Sequence, residues 1–174
     1  SPEAIDRAED RQKFIDLAER VKLTLPPGGT ALSPEEAFAL AERVGYPSIV
    51  GTGINATTLH YDKSRSQLQA GELVVMDMGA EYGFYSADVT RTIPASGKFS
   101  PRQLSIYNLV LATQQAAMDS IRPGITMGRL GQISRDYMKA HSGDLCAPGT
   151  CDQYYIHGLG HWIGMDVHDV GAYA

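Results

Sequence analysis

The chain has 174 residues, 43% hydrophobic and 20% charged, which suits one globular domain with enough chain for a real core. A net charge of −5 and an isoelectric point near 5.5 argue against nucleic acid or an anionic membrane as the main partner. No apolar run approaches the ~20 residues of a membrane span, and no basic segment followed by an apolar one marks a signal peptide.

Ser1-Pro2-Glu3 reads as a helix start, with serine as N-cap and proline at the first helical position. Ile5, Ala8, Phe14, Leu17, Ala18 and Val21 give its apolar stripe, with a break near Glu9-Asp10, and Pro26-Pro27-Gly28-Gly29 ends it. Ser33-Pro34-Glu35-Glu36 is a capping box for a second helix. Its inward positions are Ala37, Phe38, Leu40, Ala41 and Val44, and Gly45 stops it. Residues 46–61 mix β-formers with Pro47, Gly51 and Gly53, so strand and loop are expected, with His60 at the end. The polar run over residues 63–69 is a surface connection.

Residues 73–92 hold two runs of β-branched, aromatic and sulfur-bearing residues around a glycine turn, which predicts a β-hairpin. With Tyr82-Gly83 as its turn, Glu81 faces Phe84 and Asp77 faces Asp88. Like charges directly opposed destabilise a sheet. Val75, Met76, Met78, Ala87 and Val89 surround the pair and limit screening by water. A divalent metal between the carboxylates resolves the conflict; the bland alternative is a solvated Asp pair on an exposed rim.

Ser100-Pro101-Arg102-Gln103 is another capping box, opening a long helix. Leu104, Tyr107, Leu111, Met118 and Ile121 mark its expected inner face, and Pro123-Gly124 ends it. Thr126 then caps a helix with Leu130, Ile133, Tyr137 and Met138 inward. Residues 21–30 and 117–126 echo each other, each joining two helices through a proline-glycine turn. Helix, turn, helix and strands occurring twice predict a pseudo-duplicated α+β fold.

Cys146 and Cys151 are the two cysteines, separated by Ala-Pro-Gly-Thr. They suit a local disulfide where the compartment is oxidising. With His157 and His161 they also spell C-x4-C-x5-H-x3-H, whose central spacer is far shorter than the ~12 residues of a zinc finger. Residues 154–169 contain three of the five histidines among several glycines, so strand and irregular backbone are expected. A regular strand would point His161 and His168 to opposite faces; a bend near Gly164 brings both to one cavity.

Asp77, Asp88 with Thr90-Arg91-Thr92, and His157-Gly158-Leu159-Gly160-His161 running into Asp166-Val167-His168-Asp169 resemble the pita-bread metallopeptidases. Tyr46-Pro47-Ser48-Ile49-Val50 and Leu59-His60-Tyr61 also resemble family segments. Within the family the likeness is strongest to the Xaa-Pro aminopeptidase (aminopeptidase P) branch and next to prolidase. The resemblance implies a pita-bread fold, a curved antiparallel sheet covered by helices, of which this chain resembles only part. Residues 1–174 are expected to be a catalytic metallopeptidase domain lacking its C-terminal third.

The resemblance further implies two divalent metal ions, Mn²⁺ first with Co²⁺, Zn²⁺ or Fe²⁺ as alternatives. Asp77, Asp88 and His161 match the family's metal ligands. His60 and His168 match catalytic histidines that handle protons and the substrate carbonyl, and His157 matches a substrate-binding wall of the proline pocket. Two further glutamate ligands are expected downstream of this chain, which has no Glu after Glu81. The implied activity is hydrolysis, by a metal-bound hydroxide, of the bond between an N-terminal residue and a following proline. Prolidase activity, a non-catalytic binding module and a creatinase-like metal-independent hydrolase are the competing readings. Expected partners are peptides with proline second, with no nucleic acid or membrane, and a homo-oligomer is compatible. The expected location is cytoplasmic, or secreted or periplasmic if the cysteines are joined.

Overall fold

Short strands lead into a helical hairpin and then an irregular glycine-rich segment, in a computed structural model that describes residues 43–173. The helices expected over residues 1–41 and the first half of the proline-glycine echo lie outside the described residues. The described part falls into two compact units. One comprises residues up to Ser48, Asp77–Val89 and Ile163–Val167; the other comprises Ile49–Met76, Thr90–Trp162 and the residues from His168.

In the first unit β1 (Arg43–Val44) pairs antiparallel with β4 (Ala80–Tyr82), which pairs antiparallel with β5 (Tyr85–Ser86). Val44 therefore does not close a helix, as its apolar spacing suggested. It lies opposite Ala80, with Arg43 opposite Glu81. A β-branched residue fits this pleated edge well, and Gly45 extends the pairing by donating its N–H to Gly79 O at 2.8 Å. Arg43 Nε donates to Glu81 Oε1 at 2.7 Å. That contact matters because Glu81 is only 6% exposed and a buried carboxylate needs a partner.

The hairpin turn is Gly83-Phe84, one residue later than the sequence suggested, so Tyr82 pairs with Tyr85 and Glu81 with Ser86. Both turn residues have positive φ, 55° and 68°. Such two-residue turns match the right-handed twist of the flanking strands, which explains why they displace the expected register. Continued unbroken, this register would set Thr90 rather than Asp88 opposite Asp77. Regular strand lapses at Gly79 and at Ala87-Asp88, yet the same register holds on both sides, with Ala87 N donating to Ala80 O at 2.8 Å and Ala95 N to Glu72 O at 2.9 Å. Gly79 permits the close approach: a Cβ there would lie 1.8 Å from Ala87 O and 2.7 Å from Tyr46 Cε1. The chain thereby passes from β3 (Leu73–Met78) in one three-stranded sheet to β4 in another. The sheet containing β3 has the order β2-β3-β6, with β2 at Ile49–Thr52 and β6 at Val89–Pro94.

The second unit is built on α1 (Pro101–Met118) packed against α2 (Met127–His141). The capping box at Ser100 forms in full: Ser100 N donates to Gln103 Oε1 at 2.8 Å, and Gln103 N to Ser100 Oγ at 3.3 Å. Thr126 Oγ1 accepts from Arg129 N at 3.1 Å and starts α2. Leu130 and Met138 are buried on α2, with Ile133 and Tyr137 half-buried, as its spacing predicts.

The inner face of α1 differs from expectation. Leu109, Thr113 and Ala117 are buried, whereas Leu104, Leu111, Met118 and Ile121 are exposed. Apolar residues run nearly all round this helix, so their spacing selects no face. The small residues Thr113 and Ala117 recur every four positions, forming a stripe that suits close helix packing. Buried hydroxyls are satisfied within their own helices, Thr113 Oγ1 donating to Leu109 O at 2.7 Å and Ser134 Oγ to Leu130 O at 3.1 Å. Leu109, Met138 and Cys151 form the core, flanked by Leu145, Cys146 and Tyr155.

Candidate functional site

Two clusters of chemically active side chains emerge, one in each unit. The first is centred on Tyr46, which follows β1 and Gly45. Its phenol oxygen lies 2.5 Å from Asp77 Oδ1 and 3.0 Å from Asp88 Oδ1. The structure thus brings the two aspartates to one point, through a register other than the expected one. A single phenolic proton serves two carboxylates. Burial first, then the hydrogen bonds to Asp77 and Asp88, push the Tyr46 phenol well above the ordinary tyrosine range, so it stays a proton donor.

The expected apolar wall around the pair is only partly present. Asp77 is half-buried at the end of β3, whereas Asp88 is exposed just ahead of β6, as are Met78, Ala87 and Val89. Tyr46 carried no local signal of this role. Its position depends on the Gly45–Gly79 backbone bond, a pairing between residues distant in sequence. The clearest available signal was Gly79, a glycine inside a strand pattern, which often marks close backbone approach.

The second cluster gathers three of the four histidines singled out from the sequence. The His161 ring stands edge-on to His168, centroids 4.3 Å apart, and His60 lies 6.1 Å from His168. Residues 155–173 contain no strand, contrary to the mixture of strand and irregular backbone expected. Glycines break any alternation there; Gly164 N donates to Asp166 O at 3.1 Å and Asp169 N to Trp162 O at 3.0 Å, while Gly164 O accepts from Ser86 N at 2.9 Å. The result is the predicted bend, with His161 and His168 facing each other across it. His161 Nδ1 lies 2.9 Å from Trp162 O. A carbonyl only accepts, so Nδ1 is the donor in this contact, and in the neutral ring Nε2 is then the nitrogen suited to metal ligation. His157 is not drawn into this group; its Nδ1 lies 2.8 Å from Gly158 O.

Cys146 and Cys151 are joined in a disulfide with Cα atoms 5.1 Å apart, so the zinc reading of C-x4-C-x5-H-x3-H fails for want of free thiolates. Among the described residues no group of three His, Cys, Asp or Glu side chains is gathered closely enough to hold a metal by itself. The Asp77–Asp88 pair nevertheless fits an oxygen-preferring divalent cation: two carboxylates converge on one neutral phenol donor.

Residues 15–174 match the sequence profile of metallopeptidase family M24. The Xaa-Pro aminopeptidase of Haemophilus influenzae is 41% identical over 138 residues, covering 74% of this chain and 32% of that protein. The Xaa-Pro aminopeptidase of Escherichia coli is 36% identical over 138 residues, covering 74% of this chain and 31% of its own length. Proline aminopeptidase P II from Yersinia pestis superposes with a TM-score of 0.67 at 35% identity, covering 80% of this chain and 34% of that one. The aminopeptidase PepP structure from Pseudomonas aeruginosa gives a TM-score of 0.68 at 36% identity, with 80% and 34% covered. The chain spans about a third of the length of the curated relatives it matches.

Proposed function

The chain belongs to metallopeptidase family M24 and carries part of the pita-bread fold, and on that premise we propose that it contributes to an Xaa-Pro aminopeptidase. The reaction is hydrolysis of the bond between an N-terminal residue and a following proline. The observation that carries this reading is the meeting of Asp77 and Asp88 at the Tyr46 phenol. Two carboxylates side by side are costly unless a cation joins them. Asp77, Asp88 and His161 would hold divalent metal, Mn²⁺ first, with Co²⁺ or Zn²⁺ as alternatives. When bound, such ions supply a nucleophilic water at neutral pH and polarise the scissile carbonyl.

The chain's own residues then divide the remaining work. Tyr46 orients both carboxylates. The Nδ1 contact to Trp162 O fixes the His161 ring and leaves Nε2 as the nitrogen that would ligate. His168, in contact with His161 and near His60, donates to the substrate carbonyl oxygen as negative charge develops there. His60 carries the proton toward the departing proline nitrogen. His157 lies outside this cluster and lines the pocket for the proline ring. The disulfide supports maturation in an oxidising compartment, secreted or periplasmic.

The test pairs metal analysis with kinetics on the full-length protein. His161→Ala should lose bound metal, whereas His168→Ala should keep it and lose turnover. Cleavage of an Xaa-Pro-Yaa tripeptide at the Xaa–Pro bond separates this reading from a prolidase, which takes dipeptides alone. Absence of metal binding and of cleavage would reduce the chain to a binding module on the same fold.

A further inference from the structure

Trp162 makes four hydrogen-bonding contacts within the histidine-bearing unit. Its carbonyl oxygen is shared, lying 2.9 Å from His161 Nδ1 and accepting from Asp169 N at 3.0 Å. One bond holds the His161 ring, and the other holds the residue next to His168. Its indole is anchored separately, Nε1 donating to Ala172 O at 2.9 Å, and its backbone N donates to the Tyr173 hydroxyl at 3.4 Å. The indole also rests on Gly171. A Cβ at that glycine would fall 2.0 Å from Trp162 Cδ1 and 2.2 Å from Nε1, inside the ring itself. Gly171 is therefore a seat that only glycine can form.

We propose that Trp162 is a positioning residue, and that its indole, clasped by Gly171 and Ala172, sets the carbonyl that holds His161 edge-on to His168. The logic is mechanical. The bend between the two histidines contains Gly164, whose carbonyl accepts from Ser86 N at 2.9 Å, and the Trp162 carbonyl is bonded to the chain on both sides of that bend. The indole braces that carbonyl, fixing the bend at a single residue from which both histidine-bearing strands of chain hang. The relevance of this brace to catalysis rests on the reading of His161 and His168 given above; the positioning itself does not.

Trp162 is the only tryptophan in the chain, so its emission reports the clasp directly. Gly171→Ala should expel the indole, moving emission to longer wavelength and increasing quenching by acrylamide, with the far-UV circular dichroism unchanged. In ¹H–¹³C spectra, the ring resonances of His161 and His168, assigned from His161→Ala and His168→Ala, should shift together while His141 and His157 stay put. Trp162→Phe keeps a ring on the glycine and loses only the Nε1–H, so its histidine shifts should be smaller. Mn²⁺ affinity of Gly171→Ala should fall about tenfold, the effect typical of a lost outer-shell support. An unchanged emission spectrum, or a shifted emission with unmoved His161 and His168 resonances, overturns the proposal. Should Gly171→Ala fail to fold, Trp162→Leu removes the indole while leaving Gly171 intact, and unmoved histidine resonances there overturn it equally. Failure of His161→Ala to change metal content would sink the ligand assignment alone, because the clasp is read from the two spectra.

Discussion

The phenol of Tyr46 and the carboxylate of Asp77, 31 residues apart in sequence, meet at 2.5 Å, and the same phenol oxygen lies 3.0 Å from Asp88. Removing that donor leaves two carboxylates close together with less to hold them. Tyr46→Phe should destabilise the metal-free protein by about 1.5–3 kcal/mol, the range of hydrogen bonds to charged groups. Saturating Mn²⁺ should recover part of the loss, because the cation offsets the repulsion the phenol had moderated. Urea unfolding with and without the metal measures both effects. Equal losses in the two conditions would show that no cation joins this pair.

Gly79 makes the aspartate meeting possible, and its replacement should show it. A Cβ there collides with Ala87 O, a backbone atom that cannot step aside. Gly79→Ala should cost about 1–3 kcal/mol, as overpacking typically does. Gly131, inside α2, has open space around its Cβ position. Gly131→Ala should therefore stabilise the protein by up to about 1 kcal/mol, the difference in helix propensity. Unfolding midpoints for the two variants should move in opposite directions.

Phe84 sits at the hairpin turn with φ of 68° and its side chain 74% exposed. A bulky residue pays for that backbone conformation without gaining burial in return. Phe84→Gly should raise stability by about 1 kcal/mol, the usual penalty for a left-handed non-glycine residue. A loss on substitution would mean that the aromatic ring makes a contact worth more than the strain.

These residues show where the sequence could be read and where it could not. Ser100 and Thr126 announced their helices correctly, because capping is a contact among neighbours four residues apart or fewer. The buried face of α1 could not be read from spacing. Leu104, Leu111 and Met118 formed as good a stripe as Leu109, Thr113 and Ala117, and the arrival of α2 decided between them. The aspartate pair was foreseen from the correct residues by an incorrect register. A hairpin turn can slide by one position at little cost, and the aspartates still meet because both reach the same Tyr46 phenol. The bend joining His161 to His168 followed from the glycines around it. Tyr46 was invisible as a donor, since its place is set by strand pairing between segments far apart in the chain.

The two cysteines differ in their surroundings, and their replacement should separate covalent from packing effects. Cys151 is buried against Leu109 and Met138, and its backbone N donates to Ser142 Oγ at 2.8 Å; Cys146 is half-buried at the edge of the cluster. Only five positions separate them, so closing so short a loop restrains the unfolded chain by about 2 kcal/mol. Cys146→Ser should lose roughly that amount. Cys151→Ser should lose a further ~1–3 kcal/mol, because a hydroxyl then enters an apolar cluster with no partner prepared for it. Dithiothreitol provides the control. In reducing buffer the wild type should drop to the level of Cys146→Ser, while Cys151→Ser remains below both, since its deficit comes from packing and not from the bond. Thiol titration of the native oxidised protein should find no free cysteine. If the gap between wild type and Cys146→Ser survives reduction, the disulfide is not what stabilises this loop, and the case for an oxidising compartment falls with it.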